Sequence, residues 1–147
     1  GTYAVNSLRI EKAYKGWGSE LTGEISLAEA DMHRFFNLDK KSNFIGSDAL
    51  SKILQKGISI KAVYLEIDVK DTDAIGNEPV YFKDRIVGVV TSGGYGFRVN
   101  KSLAFAYVES ELALVDEEFE IQIQGQKRKA VVLKEMAYDP ENKRLKS

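Results

Sequence analysis

After residue 57 the chain changes from helical spacing to a two-residue period, and no helical segment returns among the predicted strands. A two-residue period places alternate side chains on opposite faces of a strand. Six short strands without a helix between them favour a closed or nearly closed antiparallel barrel. The first strand is expected to be buried on one face only. The predicted turns are Lys83-Asp84, Ser92-Gly93-Gly94 and Gln124-Gly125-Gln126, and the predicted strands are Ile60–Val69, Glu78–Phe82, Arg85–Thr91, Leu103–Val108, Phe119–Gln124 and Lys129–Glu135.

The N-terminal part begins with a predicted helix from Tyr3 to Lys15. Its apolar residues recur near the helical period and predict a buried apolar face. Gly16 and Gly18 are expected to end the helix, because glycine adopts the backbone conformations of helix ends and turns without strain. The predicted buried face consists of Tyr3, Ile10 and Tyr14, widened by Val5, Leu8 and Ala13.

The rest of the N-terminal part is predicted to be mostly loop, with a short strand at Phe35–Leu38. A second helix is predicted over Ser47–Lys56, because its apolar residues share one side and Gly57 follows as a C-terminal stop. The change of period after Gly57 predicts a domain boundary, with residues 1–57 in one domain and residues 58–147 in another. The fold class expected is therefore α+β.

Composition excludes several kinds of site. The chain carries 21 Lys+Arg against 22 Asp+Glu, a formal net charge of −1, which argues against binding to nucleic acid. It has no cysteine and one histidine, His33, which excludes disulfides, thiolate nucleophiles and multi-histidine metal sites. We expect no metal and no membrane span.

The opening GTYAVNSLRI lacks the pattern of a signal peptide, which predicts a cytoplasmic location. Because it also lacks an initiator methionine, we expect the chain to be a segment of a longer protein.

Charge is unevenly distributed near the C-terminus. Residues 109–120 hold six acids and no base, and residues 127–146 hold seven bases against three acids. One interpretation is two solvated strand faces that pair across a hairpin. The other is a non-catalytic interaction module, in which Glu117 and Glu118 dock a charged partner protein.

Few residues in the sequence are candidates for a catalytic or ligand-binding role. Gly93-Gly94-Tyr95-Gly96 before Lys101 lacks the glycine and the helix of a phosphate-binding loop. His33 is interpreted as a surface or packing residue. Arg9, beside an aromatic stripe, has two open interpretations: it holds a ligand carboxylate through paired hydrogen bonds, or it forms a structural ion pair.

Several blocks, in order and along essentially the whole chain, resemble the glycine-cleavage T-protein (aminomethyltransferase) family. Lys12, Trp17 and the ending YDPENKRL at 138–145 are more similar to the branch of dimethylglycine and sarcosine dehydrogenases, in which this module is fused behind a flavin domain. The blocks are NSLRIEK at 6–12, WGSELT at 17–22, LAEA at 27–30, NFIG at 43–46, IVGVVTSGGY at 86–95 and KSLAFAYV at 101–108.

The resemblance implies a one-carbon transfer to tetrahydrofolate. Residues 1–57 would be the trailing part of an α/β folate-binding domain, and residues 58–147 the family's C-terminal six-stranded antiparallel barrel. The family's catalytic aspartate has no counterpart here, so no catalytic residue is expected in this chain. Implied partners are a lipoylated H-protein or a flavin dehydrogenase domain. The incomplete first domain predicts exposed apolar surface and self-association.

The resemblance also assigns individual residues. Arg9 matches the arginine of the family's LRLE motif, which contacts folate, so Arg9 is expected to hold the folate glutamate or to orient the site. Trp17 stands where the T-protein branch has tyrosine and is expected to line the folate cavity. Glu11 is expected to support the helix, and Arg144 is a weaker candidate.

Overall fold

The computed structural model describes residues 1–40 and 44–147 and contains a closed barrel of six antiparallel strands. Around the barrel the strand order is β1-β4-β3-β2-β5-β6, and pairing of β6 with β1 closes it. Closure leaves no open sheet edge. The predicted barrel is therefore confirmed. The strands are β1 Ile60–Ile67, β2 Pro79–Phe82, β3 Arg85–Gly96, β4 Lys101–Glu109, β5 Glu118–Ile123 and β6 Gln126–Val132.

The predicted turn at Ser92-Gly93-Gly94 is wrong, because β3 continues through it to Gly96. These glycines serve a close approach between backbones. A Cβ on Gly93 would collide with the carbonyl oxygen of Ala74, and neither Gly93 nor Gly94 has a positive φ. Glycine inside a strand often marks such an approach.

The prediction that β1 is buried on one face is also wrong, because Ala62, Val63, Tyr64 and Leu65 are all buried. Val63 and Leu65 belong to the cluster of apolar side chains inside the barrel. Tyr64 faces outward, where its hydroxyl donates to the Ile10 carbonyl at 2.8 Å. The N-terminal segment thus covers the outer face of this strand.

The helices are α1 Thr2–Glu11, α2 Ser47–Lys56 and α3 Lys143–Lys146. The second matches its prediction, and Gly57, with φ 83°, donates to the Ile53 carbonyl at 3.0 Å. The first ends four residues before the predicted Lys15 because Ala13 has φ 51°, which a right-handed helix cannot accommodate.

The predicted strand at Phe35–Leu38 is wrong, because a short 3-10 helix covers His33–Phe35 instead. Local bonds form it: the Phe35 N–H donates to the Met32 carbonyl at 3.0 Å, and no strand pairing includes this segment among the described residues. Asn43 of the NFIG block lies outside the described residues. The division at Gly57 stays a prediction.

The charged stretches near the C-terminus meet in the β5–β6 hairpin. Glu120 lies opposite Lys129, and its carboxylate lies 3.3 Å from the Lys127 ammonium. Arg128 pairs with Asp71 at 2.8 Å. This confirms the hairpin interpretation for the parts of the two stretches that lie on β5 and β6. Docking through Glu117 and Glu118 stays a prediction.

Candidate functional site

The face that α1 turns toward the barrel is mainly polar, and the predicted apolar face is wrong. Ser7 and Glu11 are buried beside Ile10, whereas Tyr3 is 96% and Leu8 58% exposed. The reason is that α1 packs on the end of β3, where backbone groups need hydrogen-bond partners.

Three side chains of α1 supply those partners. Asn6 donates to the Gly93 carbonyl at 3.1 Å, and Ser7 donates to the Tyr95 carbonyl at 2.8 Å. The Glu11 carboxylate accepts from the Arg98 N–H at 2.7 Å. Glu11 therefore supports the helix and its neighbours, as predicted.

A buried carboxylate, Glu20, lies where α1 and the following turn meet β3. Its side chain is fully buried. Its Oε2 accepts from the Gly16 N–H at 2.7 Å, the Ser19 hydroxyl at 3.0 Å and the Arg9 guanidinium at 3.1 Å. These bonds tie the turn after α1 to the helix.

The other oxygen of Glu20 is bound by two consecutive residues of β3. Thr91 and Ser92 donate to Oε1 at 2.7 and 2.5 Å. Neighbouring strand residues normally face opposite sides, but the register of β3 against β4 shifts here, with Val90 opposite Ala106 and Ser92 opposite Phe105. This β-bulge lets both hydroxyls reach one carboxylate oxygen.

All five N–H groups of Arg9 have partners within the protein. Nε and Nη2 donate to the Asn6 side-chain oxygen at 3.0 and 2.9 Å, and Nη2 also donates to Ser92 at 2.9 Å. Nη1 donates to the Tyr14 carbonyl and to Glu20, both at 3.1 Å. The side chain remains 19% exposed. The guanidinium is thus rigidly held by partners within the protein, in a side chain that is partly exposed.

Hydrogen bonding keeps Glu20 ionised in spite of its burial. Burial by itself raises the pKa of this carboxyl, but the Gly16 N–H, the Ser92 and Thr91 hydroxyls and Arg9 together hold it below its usual value. The Tyr107 hydroxyl donates to the Glu20 backbone carbonyl at 2.8 Å, and burial raises the pKa of Tyr107 to about 12.

Trp17 lies on the turn that this network holds, and its ring is 81% exposed. The turn is closed by the Gly18 N–H, which donates to the Leu21 carbonyl at 2.8 Å, and Gly18 has φ 90°. A Cβ on Gly16 would lie 3.8 Å from Arg9 Nη1, so Arg9 and the Trp17 turn share one corner of the molecule.

The structure also places the remaining sequence candidates. The His33 side chain is 51% exposed and lies 3.6 Å from Asp31, which fits a surface residue. Lys101 binds Glu66 at 2.7 Å. Arg144 is exposed on α3, and its N–H donates to Asp139. Within residues 1–40 and 44–147 no cluster of three potential metal ligands occurs, and no helix is long and apolar enough to span a membrane.

Sequence reasoning assigned no role to Glu20. The sequence feature that could have drawn attention to Glu20 was its place in the WGSELT block, three residues after Trp17. Nothing local indicates that an acid four residues after Gly16 is fully buried, since its partners Thr91 and Ser92 lie 71 and 72 residues away in the chain.

Comparison with known families identifies the barrel. Residues 61–139 match the family described as "Glycine cleavage T-protein C-terminal barrel domain". This range begins within β1 and extends beyond β6.

Relatives match nearly the whole chain. It is 41% identical to the mitochondrial dimethylglycine dehydrogenase of Rattus norvegicus over 135 residues, 92% of this chain and 16% of that protein. It is 33% identical to an aminomethyltransferase of Rippkaea orientalis over 143 residues, 97% of this chain and 38% of that protein. The chain therefore spans well under half the length of these relatives.

A solved structure shares the fold. The crystal structure of glycine cleavage system aminomethyltransferase T from Bartonella henselae superposes with a TM-score of 0.84 at 24% identity, over 93% of this chain and 38% of that one.

Proposed function

The chain belongs to the glycine cleavage T-protein family, through that family's C-terminal barrel domain, and on that premise we propose that it forms part of an enzyme that transfers a one-carbon unit from an amine to tetrahydrofolate. The names of two relatives support this, since dimethylglycine and an aminomethyl group both carry a one-carbon unit on nitrogen. Tetrahydrofolate, when bound, supplies the nitrogen that accepts this unit.

The observation that carries the proposal is the corner at which Arg9 and Trp17 meet. An exposed indole offers a flat face on which a heterocycle or a benzoyl ring can stack. Because every N–H of Arg9 already has a partner, its contribution to folate is its positive charge and the orientation of the Trp17 turn. The residues present thus fit an anionic ligand with a flat ring.

In this enzyme the chain would bind and position tetrahydrofolate. The aspartate near the reacting nitrogen would come from another part of the parent protein, in which residues 1–57 complete a folate-binding domain. A lipoylated H-protein or a fused flavin dehydrogenase domain would deliver the one-carbon unit. The cytoplasmic location stays a prediction, and the rat relative carries the word mitochondrial in its name.

The test is calorimetric titration of tetrahydrofolate into the full-length protein and its variants. Trp17→Ala removes the stacking face, worth about 1–3 kcal/mol, and should weaken binding about tenfold or more. Arg9→Ala should also weaken binding, because it removes a positive charge and the hydrogen bonds that hold the Trp17 turn. Arg9→Lys should recover only part, since lysine restores the charge but lacks the planar fork that binds Asn6 and Glu20.

Ile86→Ala provides the matched control. Ile86 is 59% exposed on β3, six residues and about 20 Å before Ser92 in the same strand. Its removal should leave the dissociation constant unchanged. Wild-type affinity in both Trp17→Ala and Arg9→Ala, measured where all variants are folded, would refute the proposed contacts.

A further inference from the structure

A cavity of about 740 Å³ lies beside the C-terminal end of α1, against the outer wall of the barrel. It is lined by Lys12–Lys15, by parts of β1 and β4 that include Tyr64 and Phe105, and by the segment Val132–Met136. Neither Arg9 nor Trp17 lines it. The cavity borders the Trp17 turn through Tyr14 and Leu21, but its lining does not include the two proposed folate contacts.

Basic side chains dominate the lining of this cavity. Five bases and two acids surround it, although the whole chain has a formal net charge of −1. Part of this charge is already used, since Lys61 lies 3.0 Å from Asp31 and Lys12 donates to the Asp139 carbonyl at 2.9 Å. The bases are Lys12, Lys15, Arg34, Lys61 and Lys134, and the acids are Asp31 and Glu135.

Among the described bases of this lining without an ion pair, Lys15 is partly buried, whereas Arg34 and Lys134 are exposed. The Lys15 ammonium lies 5.4 Å from the centroid of the buried Phe105 ring, and among the described residues it has no hydrogen bond and no carboxylate oxygen within 4.0 Å. Burial lowers the pKa of Lys15, and Arg34 and Lys61 act in the same direction, against the opposing charges of Asp31 and Glu20.

A partly desolvated cation with no carboxylate in direct contact keeps part of its desolvation cost, and an anion placed beside it reduces that cost. Two aromatic side chains in the same lining, Tyr14 and Phe35, are 47% and 61% exposed and offer contact area to an apolar group. The cavity thus combines the two features that recognise an amphipathic anion.

We propose that this cavity binds a small organic anion, with its charged group beside Lys15 and an apolar or aromatic body against Tyr14 and Phe35. The site does not depend on the folate proposal, because neither Arg9 nor Trp17 lines the cavity. It is a second ligand site on the outer wall of the barrel.

The first test compares three probes by calorimetry and by NMR shift mapping on the full-length protein. Benzoate carries both features, benzamide keeps the ring without the charge, and acetate keeps the charge without the ring. We expect saturable benzoate binding in the millimolar range or tighter, and at least tenfold weaker binding of benzamide and acetate. The shifts should centre on Lys15, Tyr14 and Phe35.

Variants then locate the charge. Lys15→Met keeps the length of the side chain and should weaken benzoate binding at least tenfold, whereas Lys15→Arg should retain most of it. Arg34→Met, at an exposed position, should weaken it severalfold and serves if Lys15→Met does not fold. The control is Lys83→Met, since Lys83 also lies over an aromatic ring, 5.0 Å from the Phe82 centroid, but outside the cavity.

Three results would overturn the proposal. These are no saturable benzoate binding, equal affinity for benzamide and benzoate, or wild-type affinity in a folded Lys15→Met. Because none of these titrations includes folate, their failure leaves the Arg9 and Trp17 experiment unaffected.

Discussion

Removing the buried carboxylate of Glu20 should destabilise the protein far more than removing an exposed one. In Glu20→Ala, Thr91 can turn its hydroxyl to the Phe105 carbonyl, 3.3 Å away, and Ser19 can turn to the Gly16 carbonyl at 3.4 Å. The Gly16 N–H, the Ser92 hydroxyl and one Arg9 N–H keep no such alternative among the described contacts.

The expected loss follows from those three donors and from the broken ion pair. An unsatisfied buried donor costs about 1–3 kcal/mol, and loss of one partner of a buried pair costs about 3–5 kcal/mol. Because Arg9 keeps partial solvent exposure, we expect about 3–5 kcal/mol in all, or a fall in Tm of about 6–20 °C for a chain of this size.

Urea unfolding followed by far-ultraviolet circular dichroism measures this loss. Trp17 fluorescence is a poor reporter because the ring is already exposed. The control is Glu109→Ala, which removes a carboxylate that also pairs with an arginine, Arg85, but with side chains 43% and 59% exposed. That pair should contribute little to stability, because water solvates both charged groups. Equal losses in the two variants would refute the reasoning.

Acid pH provides an independent check on the same carboxylate. Because folding lowers the pKa of Glu20 from 4.5, its ionised form stabilises the protein above that pH, and this stabilisation is lost as pH falls through the folded pKa. The stability difference between wild type and Glu20→Gln should therefore shrink from about pH 6 to about pH 3. A difference that stays constant or grows would contradict the assignment of charge to Glu20.

Other outcomes follow from the same contacts. Gly93→Ala should cost about 3 kcal/mol or more because its methyl group would collide with Ala74, whereas Gly23→Ala, with open space around it, should stay within about 0.5 kcal/mol in the same urea assay. Folding raises the pKa of Tyr107 from 10.0 to about 12, so the stabilisation from its neutral form should be lost as pH rises from about 10 to about 12. Tyr107→Phe should therefore lose less folding stability over this pH range, as followed by circular dichroism. The exposed Tyr3 and Leu8 on α1 predict self-association of this chain, which light scattering would detect and which Tyr3→Ser with Leu8→Ser should reduce; a strictly monomeric wild-type chain would contradict this.

Local sequence was sufficient for elements whose stability depends on local pattern. The helix Ser47–Lys56 has apolar residues along one side, and it ends at Gly57, a residue type that tolerates φ 83°. The six strands follow from two-residue alternation, and their number and the lack of helices between them predicted the barrel. The resemblance of the blocks around Arg9 and Trp17 also predicted the family.

Tertiary structure decided what each residue faces. The stripe of Tyr3 and Leu8 predicts a buried face, yet the barrel offers α1 backbone carbonyls that only the polar face can satisfy. Glu20 looks like an ordinary surface acid until a bulge in β3 brings two hydroxyls to it from more than 70 residues away. Periodicity reports how a segment can fold by itself, whereas hydrogen-bond partners far apart in the chain exist only after the barrel has closed.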